Sequence, residues 1–191
     1  MRIHICRFLA ILSISFSSVA LFPQSALAAP DIKILSAECQ LSNNILSITA
    51  DAEVDLAKDP KEALESGVPL FFDLHIEIVR NRKYIWDRDL FKTKYTYSLQ
   101  RHTLSKKYVL KNLITDTQQV HSSIAKALES LGQIRKLAVI DIEELTDRKN
   151  LIIAIQLELK ISALPAPMMP LAYVSPQWHV SSHKYKWKLD L

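Results

Sequence analysis

The chain has 191 residues, 49% of them hydrophobic, and carries 24 basic against 20 acidic side chains. That length is enough for one domain with a single apolar core. The chain has only two glycines, so it lacks the glycine-rich loop of the usual nucleotide-binding sites and the G-x-S-x-G turn of hydrolase-fold nucleophiles. These two classes of activity are therefore excluded.

The first 28 residues have the pattern of a secretory signal peptide. Two arginines precede an apolar run at residues 8–21, and the small residues Ala26 and Ala28 follow it. The run is shorter than the ~20 residues of a membrane-spanning helix. We therefore expect cleavage after Ala28, a periplasmic location and a single mature domain of residues 29–191, with an uncleaved anchor as the alternative.

Cys39 is the single cysteine of the expected mature chain, so no internal disulfide can form. It lies in the segment "LSAECQL", where Ala37, Cys39 and Leu41 alternate with polar residues. Because side chains alternate across a pleated strand, the thiol is predicted to lie on the apolar face as an inert residue, with a reactive thiol as the alternative.

Apolar and polar residues alternate with period two along most of the chain, which predicts β-strands. Residues 32–41 and 46–56 form the first two strands. A tight hairpin at Asn43 and Asn44 is predicted to join them, because asparagine tolerates positive φ. Further strand patterns follow at residues 68–78, 91–99, 107–113 and 118–121.

The last third of the chain contains two long strand patterns, at residues 134–145 and 151–161. The polar residues 146–150 between them predict a long hairpin. Trp178 and the segment "YKWKL" predict the closing strands. The proline-rich residues 163–176, which we call the strap, cannot donate regularly to a strand ladder. They are predicted to form a packed structural connection, with a polyproline docking loop as the alternative.

Two short helices are predicted between strands. The segment "DPKEALESG" has Asp59 as N-cap and Gly67 just past the end, and "SSIAKALESLG" has Ser122 or Ser123 as N-cap and Gly132 as terminator. The fold class predicted from these elements is all-β, a two-sheet antiparallel β-sandwich with two short covering helices. The alternative is one strongly curved sheet wrapped around the second helix.

Residues 80–111 hold ten lysines and arginines against two aspartates. Such a stretch is typical of a surface that meets an anionic surface or an acidic protein face, and the alternative is a solvated strand that guards a sheet edge. Together with nearby aromatic residues and Trp178 it provides the candidate contacts for a partner or ligand. These candidates are Arg80, Arg82, Trp86, Lys92, Lys94, Arg101, His102, Lys106, Tyr108 and Trp178.

The sequence offers little for catalysis or for a metal ion. His179 and His183 are four residues apart, but the surrounding prolines favour an extended chain, along which four residues span ~13 Å. We therefore expect a protein that is not an enzyme, with no catalytic residues, no metal ion and no cofactor. A sugar or small ligand bound in an aromatic groove is the second hypothesis, and an envelope hydrolase is the third.

Four segments carry a family resemblance. They are "EALESGVPLFFDLHIEIVRNR", "YSLQRHTLSKKYVL", "IAKALESLGQIRKLAVID" and "LPAPMMPLAYVSPQWHVSS". In order and composition they resemble an exported family of Gram-negative bacteria, the domain of unknown function 4390, often called proline-rich signal peptide proteins. The resemblance extends over essentially the whole mature chain. It implies a scaffold without an established activity, and genes that often lie beside that of a membrane sensor kinase.

From the residues and the resemblance together we expect a non-enzymatic periplasmic protein that binds another envelope protein. The resemblance adds the extracytoplasmic part of a membrane sensor kinase as a candidate partner. An anionic surface is the other partner class that the basic stretch favours. We expect no nucleic acid partner and no transmembrane anchor after cleavage.

Overall fold

The computed structural model describes residues 31–80, 88–145 and 150–189. The predicted leader and the site candidates Arg82 and Trp86 lie outside the described residues. The strands are β1 (Ile32–Ser42), β2 (Ile45–Val54), β3 (Leu70–Arg80), β4 (Arg88–Arg101), β5 (Tyr108–Asn112), β6 (Gln118–His121), β7 (Gln133–Asp141), β8 (Leu151–Leu159) and β9 (Tyr185–Leu189). The helices are α1 (Lys58–Glu65), α2 (Ile124–Gly132) and α3 (Met169–Val174), and 3-10 turns occur at Ile142–Glu144, Ile161–Ala163 and Pro176–Trp178.

The described strands form two antiparallel sheets around one core. The smaller sheet has the order β1-β2-β7, and the larger sheet has the order β6-β5-β4-β3-β8-β9. Apolar side chains of both sheets, including Ile48, Phe72 and Ile153, are buried in one cluster. This arrangement confirms the predicted all-β class and the two-sheet sandwich, and it is not the single curved sheet of the alternative.

The hairpin between β1 and β2 turns at the two asparagines where the sequence predicts it. Asn43 and Asn44 have φ values of 49° and 65°, both in the left-handed region. Two such residues form the kind of tight turn whose twist matches that of the strands it joins. The hairpin prediction is therefore confirmed, and β1 pairs with β2 along its length.

Both helices lie where the sequence predicts them, and one of the two predicted N-caps is wrong. Helix α1 begins at Lys58 after Ala57, so Asp59 is in its first turn and is not the N-cap. A carboxylate in that turn still interacts favourably with the helix dipole. At α2 the prediction is confirmed, because the Ser123 hydroxyl accepts from the Lys126 amide at 3.3 Å.

Gly132 is needed for a close approach between α2 and β2. It is the last residue of α2, and a Cβ atom placed on it would lie 2.0 Å from the Ala52 carbonyl oxygen. No side chain fits at that distance, so any other residue would push the helix away from the smaller sheet. Gly67, in contrast, lies just past α1 with a φ of 90°, as expected for a glycine that ends a helix.

The predicted long hairpin between the last two strong strand patterns is wrong. Strand β7 pairs with β2 in the smaller sheet, whereas β8 pairs with β3 and β9 in the larger one. The chain leaves β7 through the 3-10 turn at Ile142–Glu144, which the Asp141 carboxylate caps. A polar connection between two strands is compatible with a hairpin and with a crossing between sheets, and the local sequence does not distinguish them.

The strap is packed against the core, as predicted, and it contains a third helix that was not predicted. Helix α3 begins next to Pro170, which the first turn of a helix tolerates because its missing amide hydrogen has no partner there. Ala172 of this helix is fully buried. Trp178 lies in a 3-10 turn and is not part of a strand.

Candidate binding face of the six-stranded sheet

The six-stranded sheet has an outer face, which we define as the side turned away from the three-stranded sheet. In β3 the even-numbered residues from Leu70 to Ile78 are buried in the core, so Asp73, His75 and Glu77 project onto the outer face. Cross-strand neighbours extend this row. They are Thr96 and Glu158 beside Asp73, Lys94 and Gln156 beside His75, and Lys92 and Ala154 beside Glu77.

Asp73 lies among these side chains and is only 4% exposed. The Thr96 hydroxyl donates to its Oδ1 at 2.6 Å, and the ammonium groups of Lys94 and Lys160 lie 3.2 and 3.5 Å from its Oδ2. Burial alone would raise the pKa of this carboxyl, but the hydrogen bonds from Thr96 and Lys94 and the two lysine charges outweigh burial and lower the pKa below its ordinary value. Asp73 is therefore an ionised anchor that holds two lysines.

The other two carboxylates of the outer face also have basic partners. Glu77 lies 2.8 Å from the ammonium nitrogen of Lys184 and 3.8 Å from that of Lys92. His75 Nε2 donates to Glu158 Oε1 at 3.0 Å. Exposed pairs of this kind each contribute only about 0–1 kcal/mol to stability, so a partner with its own carboxylates can exchange with them at little cost.

Lys186 and Lys188 add positive charge that no carboxylate of the described residues neutralises. They lie on β9, in register with Ala154 and Ile152, and both are exposed. Among the described residues between β4 and β9, this face thus presents six lysines against three carboxylates. The lysines are Lys92, Lys94, Lys160, Lys184, Lys186 and Lys188, and the carboxylates are Asp73, Glu77 and Glu158. This part of the outer face therefore carries a net positive charge.

Of the residues selected from the sequence, Lys92 and Lys94 lie on this face. Both form ion pairs with carboxylates of β3, a pairing that the excess of basic residues in the local sequence does not indicate. Arg80 is the last residue of β3, in register with Leu151, and is half-buried.

Arg101, His102 and Lys106 lie elsewhere, at the turn between β4 and β5. The Arg101 guanidinium donates to the Glu65 carbonyl at 2.7 Å and so ties β4 to α1. His102 and Lys106 belong to the turn itself, where the Lys106 amide donates to the His102 carbonyl at 2.8 Å. Arg101 follows Lys94 by seven residues, which span ~23 Å along a strand. Arg101, His102 and Lys106 are therefore not among the charged side chains around Asp73, His75 and Glu77.

Tyr108 and Trp178 belong to the core. They are 7% and 3% exposed, so their rings are not available to a partner in this fold. An aromatic side chain in a strand or turn is most often a packing residue, and both candidates follow that rule. Among the described residues, Tyr173 of α3 is an exposed aromatic residue near the outer face, and it was not one of the ten candidates.

Sequence reasoning did not find Lys160, Lys184 or Glu158 as members of one surface. They come from the end of β8 and from the segment before β9, both far along the chain from β3 and β4. The alternation in "LIIAIQLELKI" and "YKWKL" indicated which residues are polar and outward, but the order of the strands in the sheet is needed to bring them together.

The described residues contain neither a metal site nor a membrane-spanning helix. No group of three or more histidine, cysteine, aspartate or glutamate side chains in these ranges is placed to hold a metal ion. None of the helices in the same ranges is long and apolar enough to reach across a bilayer.

Comparison with known proteins identifies a family. No curated protein and no solved structure matches the chain. Residues 29–188 match the family model of a domain of unknown function, DUF4390, which confirms the family that the sequence resembles. That match covers most of the chain, and the protein therefore belongs to the DUF4390 family.

Proposed function

We propose that the protein is a non-enzymatic binding module of the bacterial envelope, and that the outer face docks an acidic extracytoplasmic segment of another envelope protein. The observation that carries the proposal is the excess of six lysines over three carboxylates among the described residues of the outer face between β4 and β9. The extracytoplasmic part of a membrane sensor kinase is our first candidate for the partner.

The spread of the lysines supports docking over edge protection. Lysines that guard a sheet edge are needed only on the edge strand. Here they extend from β4, across the carboxylates of β3, to the edge strand β9. A positive surface of this width attracts an acidic partner over a distance and accelerates its association, and the effect weakens as salt screens the charges.

The state of Asp73 argues against its use as a general acid. A general acid or base is most effective when its pKa lies near the working pH. The pKa of Asp73 is shifted the other way, below its ordinary value, because Thr96 and two lysines outweigh the effect of burial. Asp73 therefore stays ionised and serves as an anchor for the lysines.

Site-specific crosslinking in cells tests the proposal. We would place a photo-reactive amino acid at Lys92 or Lys186 on the outer face, and at Gln40 or Glu53 on the smaller sheet as controls; all four positions are exposed. We expect an adduct with an envelope protein from the first two positions only. Mass spectrometry would identify its acidic segment, whose affinity for the purified protein would then be measured.

Charge reversal provides the matched comparison. Lys186→Glu with Lys188→Glu should weaken binding of that segment by roughly tenfold or more and reduce its salt dependence. Lys33→Glu with Lys126→Glu changes the net charge equally at exposed positions off this face, and should leave affinity nearly unchanged. Equal weakening by both double variants, or adducts from the control positions, would contradict the proposal.

A further inference from the structure

A cleft of about 480 Å³ opens between the outer face and the strap. We call it the Asp73 cleft. Its volume lies within the ~300–1,000 Å³ that is typical of small-molecule sites. The lining residues that matter for recognition are Asp73, His75, Lys94, Glu158, Lys160 and Tyr173.

Residues 179–181 form one wall of the cleft, and hydrogen bonds fix this wall to the sheet. The Leu159 amide donates to the Val180 carbonyl at 2.8 Å, and the Ser182 amide donates to the Leu157 carbonyl at 2.8 Å. The Leu157 amide in turn donates to the Ser182 hydroxyl at 3.0 Å. A wall that is already ordered lowers the entropy cost of binding a ligand.

Lys94 and Lys160 leave positive charge at one end of the cleft. Both ammonium groups lie within 3.5 Å of the same Asp73 oxygen, and their side chains are 44% and 34% exposed. One carboxylate neutralises only one of the two charges, and an ammonium group has three hydrogen-bond donors. Each lysine therefore keeps donors for a ligand carboxylate, with which it would form short charge-assisted hydrogen bonds.

Other groups of the cleft suit hydroxyl groups of a ligand. His179, which lines the wall, donates through Nδ1 to the Ser175 carbonyl at 3.0 Å, because a carbonyl can only accept. When only Nδ1 carries a proton, Nε2 is an acceptor. Glu158 accepts from His75 through one oxygen only, which leaves further lone pairs for a ligand hydroxyl.

Tyr173 adds an apolar surface to these polar groups. It lies on α3, lines the cleft and is 53% exposed. An aromatic ring that is half open to solvent can pack its face against the C–H groups of a sugar ring.

We propose that the Asp73 cleft binds a carboxylated saccharide. Its carboxylate lies against Lys94 and Lys160, its hydroxyl groups bond to Glu158 and His179, and one face of its ring packs on Tyr173. The cleft shares Lys94 and Lys160 with the outer face, but Lys186 and Lys188, which carry the test of protein docking, are not among its lining residues.

Titration of the ¹⁵N-labelled protein followed by nuclear magnetic resonance tests this inference. The probes are glucuronic acid and N-acetylmuramic acid, with glucose and N-acetylglucosamine as neutral counterparts and acetate as the carboxylate alone. We expect the two acids to shift signals around the cleft and to bind about tenfold more tightly than the neutral sugars or acetate, since a hydrogen bond to a charged group is stronger than one to a neutral group.

Substitutions assign the contacts. Lys160→Gln and Tyr173→Ala should each weaken binding of glucuronic acid by about tenfold. Leu171→Ala, on the same helix and exposed, and Lys186→Gln should leave it unchanged, and melting curves would show that all four variants are folded. The inference is overturned if no sugar shifts a signal, if neutral sugars or acetate bind equally well, or if Lys160→Gln and Tyr173→Ala bind like the unmodified protein.

The two proposals can fail independently. Lys186→Glu with Lys188→Glu should reduce capture of the protein partner and leave glucuronic acid binding intact, whereas Tyr173→Ala should do the reverse. Loss of both activities in either variant would show that the cleft and the β9 lysines act as one site and would contradict the inference.

Discussion

Along β3, Phe72, Leu74 and Ile76 face the core with at most 1% of their surface exposed, whereas Asp73 and His75 alternate with them on the outer face. Each apolar side chain of the inner row contributes about 1.5–3 kcal/mol through burial, but an exposed ion pair contributes about 0–1 kcal/mol. One strand therefore carries stability on one side and charge on the other. The outer side is free to serve recognition because the fold depends little on it.

The largest expected effect comes from breaking the inner row. Phe72→Ala removes a fully buried ring and should lower the free energy of unfolding by about 3–5 kcal/mol, because a cavity remains. Phe71→Ala makes the same change one residue earlier, on the other side of β3, where the ring is half-buried. Urea unfolding should show a clearly smaller loss for Phe71→Ala, and equal losses would contradict the division between the two sides.

A second core prediction concerns the approach of α2 to the smaller sheet. Gly132→Ala forces a methyl group to within 2.0 Å of the Ala52 carbonyl and should cost about 1–3 kcal/mol through displacement of the helix. Gly67→Ala, where φ is 90° but the nearest atom is the movable Thr103 methyl, should cost about 1 kcal/mol. A thermal melt in which Gly67→Ala is the less stable variant would show that α2 does not pack this closely.

Asp73 is an exception on the outer face because its side chain is buried. Its folded pKa is lowered, so its ionised form stabilises the protein above the unfolded pKa of about 4 and this contribution is lost as the pH falls through the folded value. Asp73→Asn should therefore cost about 1 kcal/mol at pH 6, and the difference from the unmodified protein should shrink toward pH 3. Urea midpoints that differ by the same amount at every pH would contradict the ion pairs with Lys94 and Lys160.

The smallest expected effect on stability belongs to the exposed lysines of β9. Lys186→Glu with Lys188→Glu should change the free energy of unfolding by less than about 0.5 kcal/mol per site, although the same variant is expected to lose partner binding. A large drop in the urea midpoint would show that these lysines are needed for folding and would remove the distinction between the two faces.

What could be predicted from the sequence depends on neighbours along the chain. The turn at Asn43 and Asn44 follows from the tolerance of asparagine for positive φ, and the outward direction of Asp73 and Glu77 follows from strict alternation with apolar residues. The two-sheet class follows from the many one-sided strands. Each of these features is set within a few residues of chain.

The parts that could not be predicted depend on contacts between distant segments. The partners of β7 and β8 were assigned wrongly because strand pairing is set by the whole core and not by the connection between the strands. For the same reason the basic stretch at residues 80–111 appeared as a local excess of charge. In the fold its Lys92 and Lys94 pair with β3 carboxylates, and the unpaired charge on the outer face comes from β9.

The most direct test of the outer face as the binding face is lysine acetylation of the protein in its native envelope, compared with the purified protein and read by mass spectrometry. We expect Lys92, Lys184, Lys186 and Lys188 to react more slowly in the envelope, while Lys33 and Lys126 react equally in both samples. Protection of Lys33 and Lys126 with full reactivity at the four outer-face lysines would contradict the proposed docking face.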